Sequence, residues 1–117
     1  MSDERRERGL ATLRELMGPE AAPPLDDPLV AMAVDHVFAD VWSRPGLELR
    51  ERSLVTCAAL VALGKEHELR FHLRGLLNTG VTPQAVEEMM IHLAHYAGWP
   101  AGVNGLRAAR QVIAAQS

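Results

Sequence analysis

The chain has 117 residues, enough for one domain with a modest core, and 48% of them are hydrophobic, which excludes a disordered chain. Its formal net charge is −3, so there is no strongly basic face of the kind that holds nucleic acid. Only 4% of residues are aromatic and there is one cysteine, Cys57, so the core must be aliphatic and no internal disulfide can form.

Helix signals run the length of the chain. Residues 3 to 16 alternate charges with Leu10, Leu13 and Leu16, an amphipathic pattern that Gly18-Pro19 stops and a Pro-rich connector follows. Asp27-Pro28 reads as an N-cap with proline at the first helical position, and the helix it opens is expected to reach Trp42 before Arg44-Pro45-Gly46. The third helix, from about Leu47 to Gly64, is apolar nearly all round and is expected to be central and buried. A fourth covers Lys65 to Leu77. Thr82-Pro83 opens a fifth that ends near Ala97, and the last runs from about Ala101 to Ala115. No β-alternation or internal repeat interrupts this. The reading is an all-α, six-helix domain covering 1–117, with residues 1–25 as N-terminal helix and connector. The charged start Met-Ser-Asp-Glu-Arg-Arg has no apolar signal segment, and the longest apolar run, Leu54 to Leu63, is too short to span a bilayer. A cytoplasmic protein without membrane or nucleic-acid partners is expected.

Three groups of residues could carry chemistry. On the fourth helix Glu68 and His72 are four apart and share a face, an arrangement in which a carboxylate orients an imidazole and raises its pKa. On composition alone, ordinary pairs on a solvated face explain them as well. On the fifth helix His92 and His95 are three apart, a metal-ligand spacing without an evident third ligand, so core or interface histidines are the simpler reading. Asp35, His36 and Asp40 lie on the second helix, with His36 and Asp40 on one face, and read as a capping or surface set. Cys57, without an adjacent base, reads as a buried structural thiol.

From His36 onward the order and spacing of several segments resemble the gamma-carboxymuconolactone decarboxylase family. These are His36 with Asp40-Val41-Trp42-Ser43-Arg44-Pro45-Gly46-Leu47, Arg52-Ser53-Leu54-Val55-Thr56, Glu68-Leu69-Arg70-Phe71-His72-Leu73-Arg74, Asn78-Thr79-Gly80-Val81-Thr82 and Tyr96-Ala97-Gly98-Trp99-Pro100-Ala101. The wider family contains alkylhydroperoxidase-like proteins with a CxxC motif. Here Lys65 and Glu68 occupy the two cysteine positions, so thiol–disulfide turnover is excluded and the decarboxylase branch is implied.

That resemblance implies a cofactor-free, metal-free lyase acting on a small carboxylated lactone, with His72 and Glu68 as catalytic residues. Arg44 and Arg52 would hold substrate carboxylates, and His36, Trp42, His92, His95 and Trp99 would line the substrate site. Cys57, His92, His95 and Trp99 depart from the family pattern, at positions where a change would alter the substrate. It also implies a homo-oligomer, a trimer or a hexamer of two trimers. The apolar surplus around Leu60, Val61, Met89, Met90 and Ile91 is expected to lie at the subunit boundary. The alternatives are an isomerase or cyclase on the same scaffold, and a non-catalytic helical module whose residues 68 and 72 would point to solvent.

Overall fold

Capping residues and glycines set the helix limits, and the computed structural model, which describes residues 2–116, follows them closely. Among the described residues there are six helices and no strand: α1 (Ser2–Met17), α2 (Pro28–Met32) continuing as a π-helical segment (Ala33–Val41), α3 (Leu49–Leu63), α4 (Glu66–Asn78), α5 (Pro83–Tyr96) and α6 (Trp99–Gln116). The Asp27 side chain accepts a hydrogen bond from the Leu29 N–H at 2.9 Å, and Thr82 accepts one from the Ala85 N–H at 3.1 Å. Both satisfy a donor that the first turn leaves unpaired, and proline follows each cap, where its missing N–H costs nothing. None of the described helices is long and apolar enough to cross a membrane. The chain divides into two units, one ending at Leu49 and one beginning at Arg50.

The first unit pairs α1 with the π-helical segment. Gly9 makes the close approach possible, because a side chain there would collide with the Val34 carbonyl. Around that contact Arg6 grips Asp35, and Arg5 and Arg8 both grip Asp40. Three arginines of the amphipathic α1 are therefore committed to carboxylates of the π-helical segment. The change of winding after Met32 was not expected; the sequence reads as one regular helix to Trp42.

The second unit is built on α4, α5 and α6. Leu69, Leu73 and Leu76 of α4, Val86 and Met90 of α5, and Ala108, Ala109 and Val112 of α6 form one apolar cluster, joined by Cys57 and Val61 of α3. Helix α6 approaches α5 through glycine: a Cβ on Gly105 would meet the Met90 sulfur at 2.7 Å. Arg70 of α4 adds a polar link, its Nε and Nη2 donating to Gln111 Oε1 on α6 at 3.1 and 2.6 Å.

Two sequence expectations need correction. Helix α3 is not buried all round. It packs through one stripe, Ser53, Cys57 and Val61, at four-residue spacing, and leaves Val55 and Leu63 62% and 68% exposed. Val61 and Met90, read as surplus apolar surface, are 2% and 1% exposed and belong to the chain's own core. When a helix is apolar on several faces, periodicity does not reveal which face a neighbour will cover.

Candidate active site

The residues singled out from sequence fall in both units. In the second, α4 turns Leu69, Leu73 and Leu76 inward, and His72 sits at the edge of that face, half-buried. Its ring meets the Phe71 ring edge-on, centroids 5.1 Å apart. Burial disfavours the charged imidazolium and pushes the His72 pKa below its ordinary 6.5. This reverses the direction expected from a carboxylate neighbour. Glu68 lies one turn earlier on the same helix but is exposed, where water screens its carboxylate. The folded chain thus holds His72 as a neutral imidazole at neutral pH, able to donate one hydrogen bond and accept another.

Helix α3 brings Arg52 and Ser53 in at its first turns. Arg52 is half-buried and its backbone carbonyl accepts from the Thr56 hydroxyl at 2.8 Å. Ser53 is fully buried, and its hydroxyl has no hydrogen-bond partner among the described residues. In the sequence Ser53 stands within the Arg52–Thr56 motif, with no role expected of it. Its signal was a polar residue four positions before Cys57 on the one buried stripe of the helix. Burial pushes the Cys57 thiol up to about 12, so at neutral pH it is protonated and unreactive.

His92, His95 and Trp99 form a different environment. All three are exposed, beside Tyr96. The His92 ring stacks on Tyr96 with centroids 4.9 Å apart, and the His95 ring meets Trp99 edge-on at 5.8 Å. His95 Nδ1 lies 2.8 Å from the Ile91 carbonyl, so it carries the proton and donates there, leaving Nε2 outward. With Glu88 and Ile91, His92, His95 and Tyr96 line an open surface depression. Gly98, at φ 107°, makes the left-handed turn that lets Trp99 start α6 directly after α5. Among the described residues no three His, Cys, Asp or Glu side chains are grouped to hold a metal ion.

The first unit carries His36, Trp42 and Arg44. His36 is exposed, and its Nδ1 lies 3.1 Å from Asp40 Oδ2, so the expected shared face is real. Asp40 gathers Arg5, His36 and Arg8, which hold its carboxyl well below the usual carboxylate range. Trp42 is buried and stacks on Phe38 with centroids 5.5 Å apart. Arg44 is exposed in the turn that follows.

Comparison with known proteins places these segments in context. A model described as the carboxymuconolactone decarboxylase family matches residues 27–111. The 4-carboxymuconolactone decarboxylase of Acinetobacter baylyi is 49% identical over 75 residues, which cover 64% of this chain and 56% of that protein. The nitrosuccinic acid decarboxylase of Metarhizium robertsii is 28% identical over 114 residues, 92% of this chain and 80% of that protein. An uncharacterised 15.0 kDa protein of Paracoccus denitrificans is 30% identical over 79 residues, 66% of this chain and 59% of that protein. The chain thus matches little more than half the length of the Acinetobacter relative.

Proposed function

We propose that this chain, which belongs to the carboxymuconolactone decarboxylase family, is a carboxy-lyase that removes carbon dioxide from a small carboxylated unsaturated lactone, 4-carboxymuconolactone, giving 3-oxoadipate enol-lactone. The observation that carries this reading is the 49% identity to the Acinetobacter 4-carboxymuconolactone decarboxylase.

The chemistry needs no external electron sink. As the carbon–carbon bond to the carboxylate breaks, its electron pair moves through the ring double bond onto the lactone carbonyl oxygen. A proton then adds at carbon. The protein must hold a dianion, stabilise the oxyanion and deliver the proton. Arginine suits the first task because its planar fork matches a carboxylate, and Arg44 and Arg52 are the proposed holders. Ser53, a buried hydroxyl with an uncommitted donor, suits the second. His72 is the proposed proton donor. It is neutral in the free chain because of burial, and an arriving dianion favours the imidazolium and so offsets that burial. Glu68, on the same face but exposed, supports the ring more weakly than a buried partner would.

The relationship to a nitrosuccinic acid decarboxylase favours a second reading of the same class. A nitro group, like a conjugated lactone, accepts electrons from a departing carboxylate. The scaffold would then serve acids that carry their own electron sink, with His92, His95 and Trp99 altering which acid is taken. The assembly expected is a homotrimer or hexamer in the cytoplasm. Ile91, Tyr96, Trp99 and Val103, exposed at 45%, 81%, 65% and 41%, offer apolar surface for a neighbour.

Incubation of the purified protein with 4-carboxymuconolactone and with nitrosuccinate, with carbon dioxide release followed, tests both readings. Release from the lactone alone supports the first. Release from nitrosuccinate alone supports the second, and release from neither overturns both. Light scattering coupled to size exclusion tests the assembly, and a stable monomer of 12.8 kDa refutes it.

A further inference from the structure

Ala33–Val41 is wound as a π-helix for nine residues, with the Trp42 N–H donating five residues back to the Val37 carbonyl at 2.9 Å. Such winding is ordinarily confined to single turns within α-helices, where it gathers at functional sites. A run this long competes along its length with the regular i→i−4 ladder, so it requires something outside itself to hold it.

The partners on α1 supply that hold. Arg6 takes Asp35 with two parallel bonds, Nε to Oδ1 at 3.1 Å and Nη2 to Oδ2 at 3.0 Å. Asp40, five residues on, takes Arg5 and Arg8. Val34 and Ala39, also five apart, are the buried residues of the segment, and the Val34 carbonyl is the group that abuts Gly9. At 3.6 residues per turn, side chains five apart lie about 140° from each other round an α-helix. They share a face only in the wider winding, and α1 engages both members of the charged pair. Arg8 makes the most specific contact: its Nη2 donates to Asp40 Oδ1 at 2.9 Å while its Nε donates to the Ala39 backbone carbonyl at 3.1 Å. The Ser43 hydroxyl donates to that same carbonyl.

We infer that the basic face of α1 is a register clamp that holds Ala33–Val41 in the π winding, which makes Arg5, Arg6 and Arg8 positioning residues for His36 and Trp42. The inference rests on the reading of His36 and Trp42 as substrate-binding residues of a decarboxylase. A one-residue slip within 33–41 turns every later side chain by about 100° relative to those before it, enough to carry Trp42 out of its buried position.

The test uses Arg8→Met, which keeps length and removes the donors, and Arg8→Lys, which keeps the charge and loses the fork. The chain has two tryptophans, so a Trp99→Phe background leaves Trp42 as the sole emitter. Arg8→Met is expected to shift Trp42 emission to longer wavelength, with far-UV circular dichroism retained. In the otherwise native chain it is expected to lower kcat/KM on the order of ten- to a hundred-fold, mostly through KM, as misplaced binding groups do. Arg8→Lys should fall between the two. Unchanged emission and unchanged KM overturn the clamp. If Arg8→Met fails to fold, Arg8→Lys decides, and native emission there overturns the inference. A shifted emission in a chain whose native form decarboxylates neither test acid leaves the clamp standing and removes only the functional reading.

Discussion

Both units bury apolar side chains, Leu13, Leu16, Val34 and Ala39 in the first and Leu69, Leu73 and Leu76 in the second, but they differ in what they add to that burial. Between α1 and the π-helical segment, charged side chains meet in matched positions around a glycine contact. Among α4, α5 and α6, aliphatic side chains close over one another, and the ion pair described there, Arg110 with Glu87 at 3.8 Å, joins two exposed residues. Apolar burial contributes about 25 cal/mol per Å² without regard to direction. An exposed ion pair contributes roughly 0–1 kcal/mol but only in one geometry. The pairs of the first unit therefore add register to its burial, while the second unit relies on burial.

The contrast is sharpest within α4, where the proposed proton donor and a core leucine are adjacent residues. His72→Ala should lower turnover on the order of a hundred- to ten-thousand-fold, the range of general acid catalysis, with helicity unchanged. Near-normal turnover by the purified variant would remove His72 from the mechanism. Glu68→Gln should be milder than His72→Ala, and a greater loss there would make Glu68 the proton donor. Leu73, fully buried beside His72, is expected to act only through the core: Leu73→Ala should cost about 2–5 kcal/mol in urea unfolding. A cost under 1 kcal/mol would mean that the core is not closed around it.

Salt should separate the units more gently. At about 1 M the screening length falls to about 3 Å, so the α1 pairs weaken while apolar packing does not. Amide exchange is expected to quicken in α1 and in 33–41 and to stay slow in α4. Equal quickening in both would refute the division of labour.

The smallest effect is that of pH. Burial lowers the His72 pKa in the folded chain, so the unfolded chain binds a proton that the folded one refuses. Stability should fall as pH drops through the unfolded value of 6.5, and the loss should be complete below the folded value. Asp40, held charged by Arg5, His36 and Arg8, stays ionised throughout that window. Thermal unfolding from pH 8 to 5, native against His72→Gln, reads the difference. Parallel curves would show that His72 is not desolvated.

Much of this was legible in the residues. Asp27-Pro28 and Thr82-Pro83 announce helix starts because cap and proline chemistry is local, and the glycine stops are equally local. The order of the Arg52, His72 and Trp99 segments pointed to the family that the chain matches. The π winding was not legible, because intrinsic preferences barely distinguish i→i−5 from i→i−4 bonding. Its trace was Asp35 and Asp40 five apart, which carries meaning only once Arg5, Arg6 and Arg8 are seen opposite them. The environment of His72 was misread for a related reason. Spacing shows that Glu68 shares its face, but only packing shows that Glu68 stays in water while the ring does not.

Cys57 offers a use beyond packing. It is the chain's one thiol, fully buried on the stripe of α3 that enters the apolar cluster, and burial pushes it up to about 12. A thiol in that state does not meet a labelling reagent until α3 lifts away. Its modification rate in dilute reagent is then a stopwatch for that event, proportional to the fraction of time the core stands open. No engineered probe is needed, and the same stopwatch can be run with and without a candidate substrate acid. A ligand that slows it has closed the fold around itself.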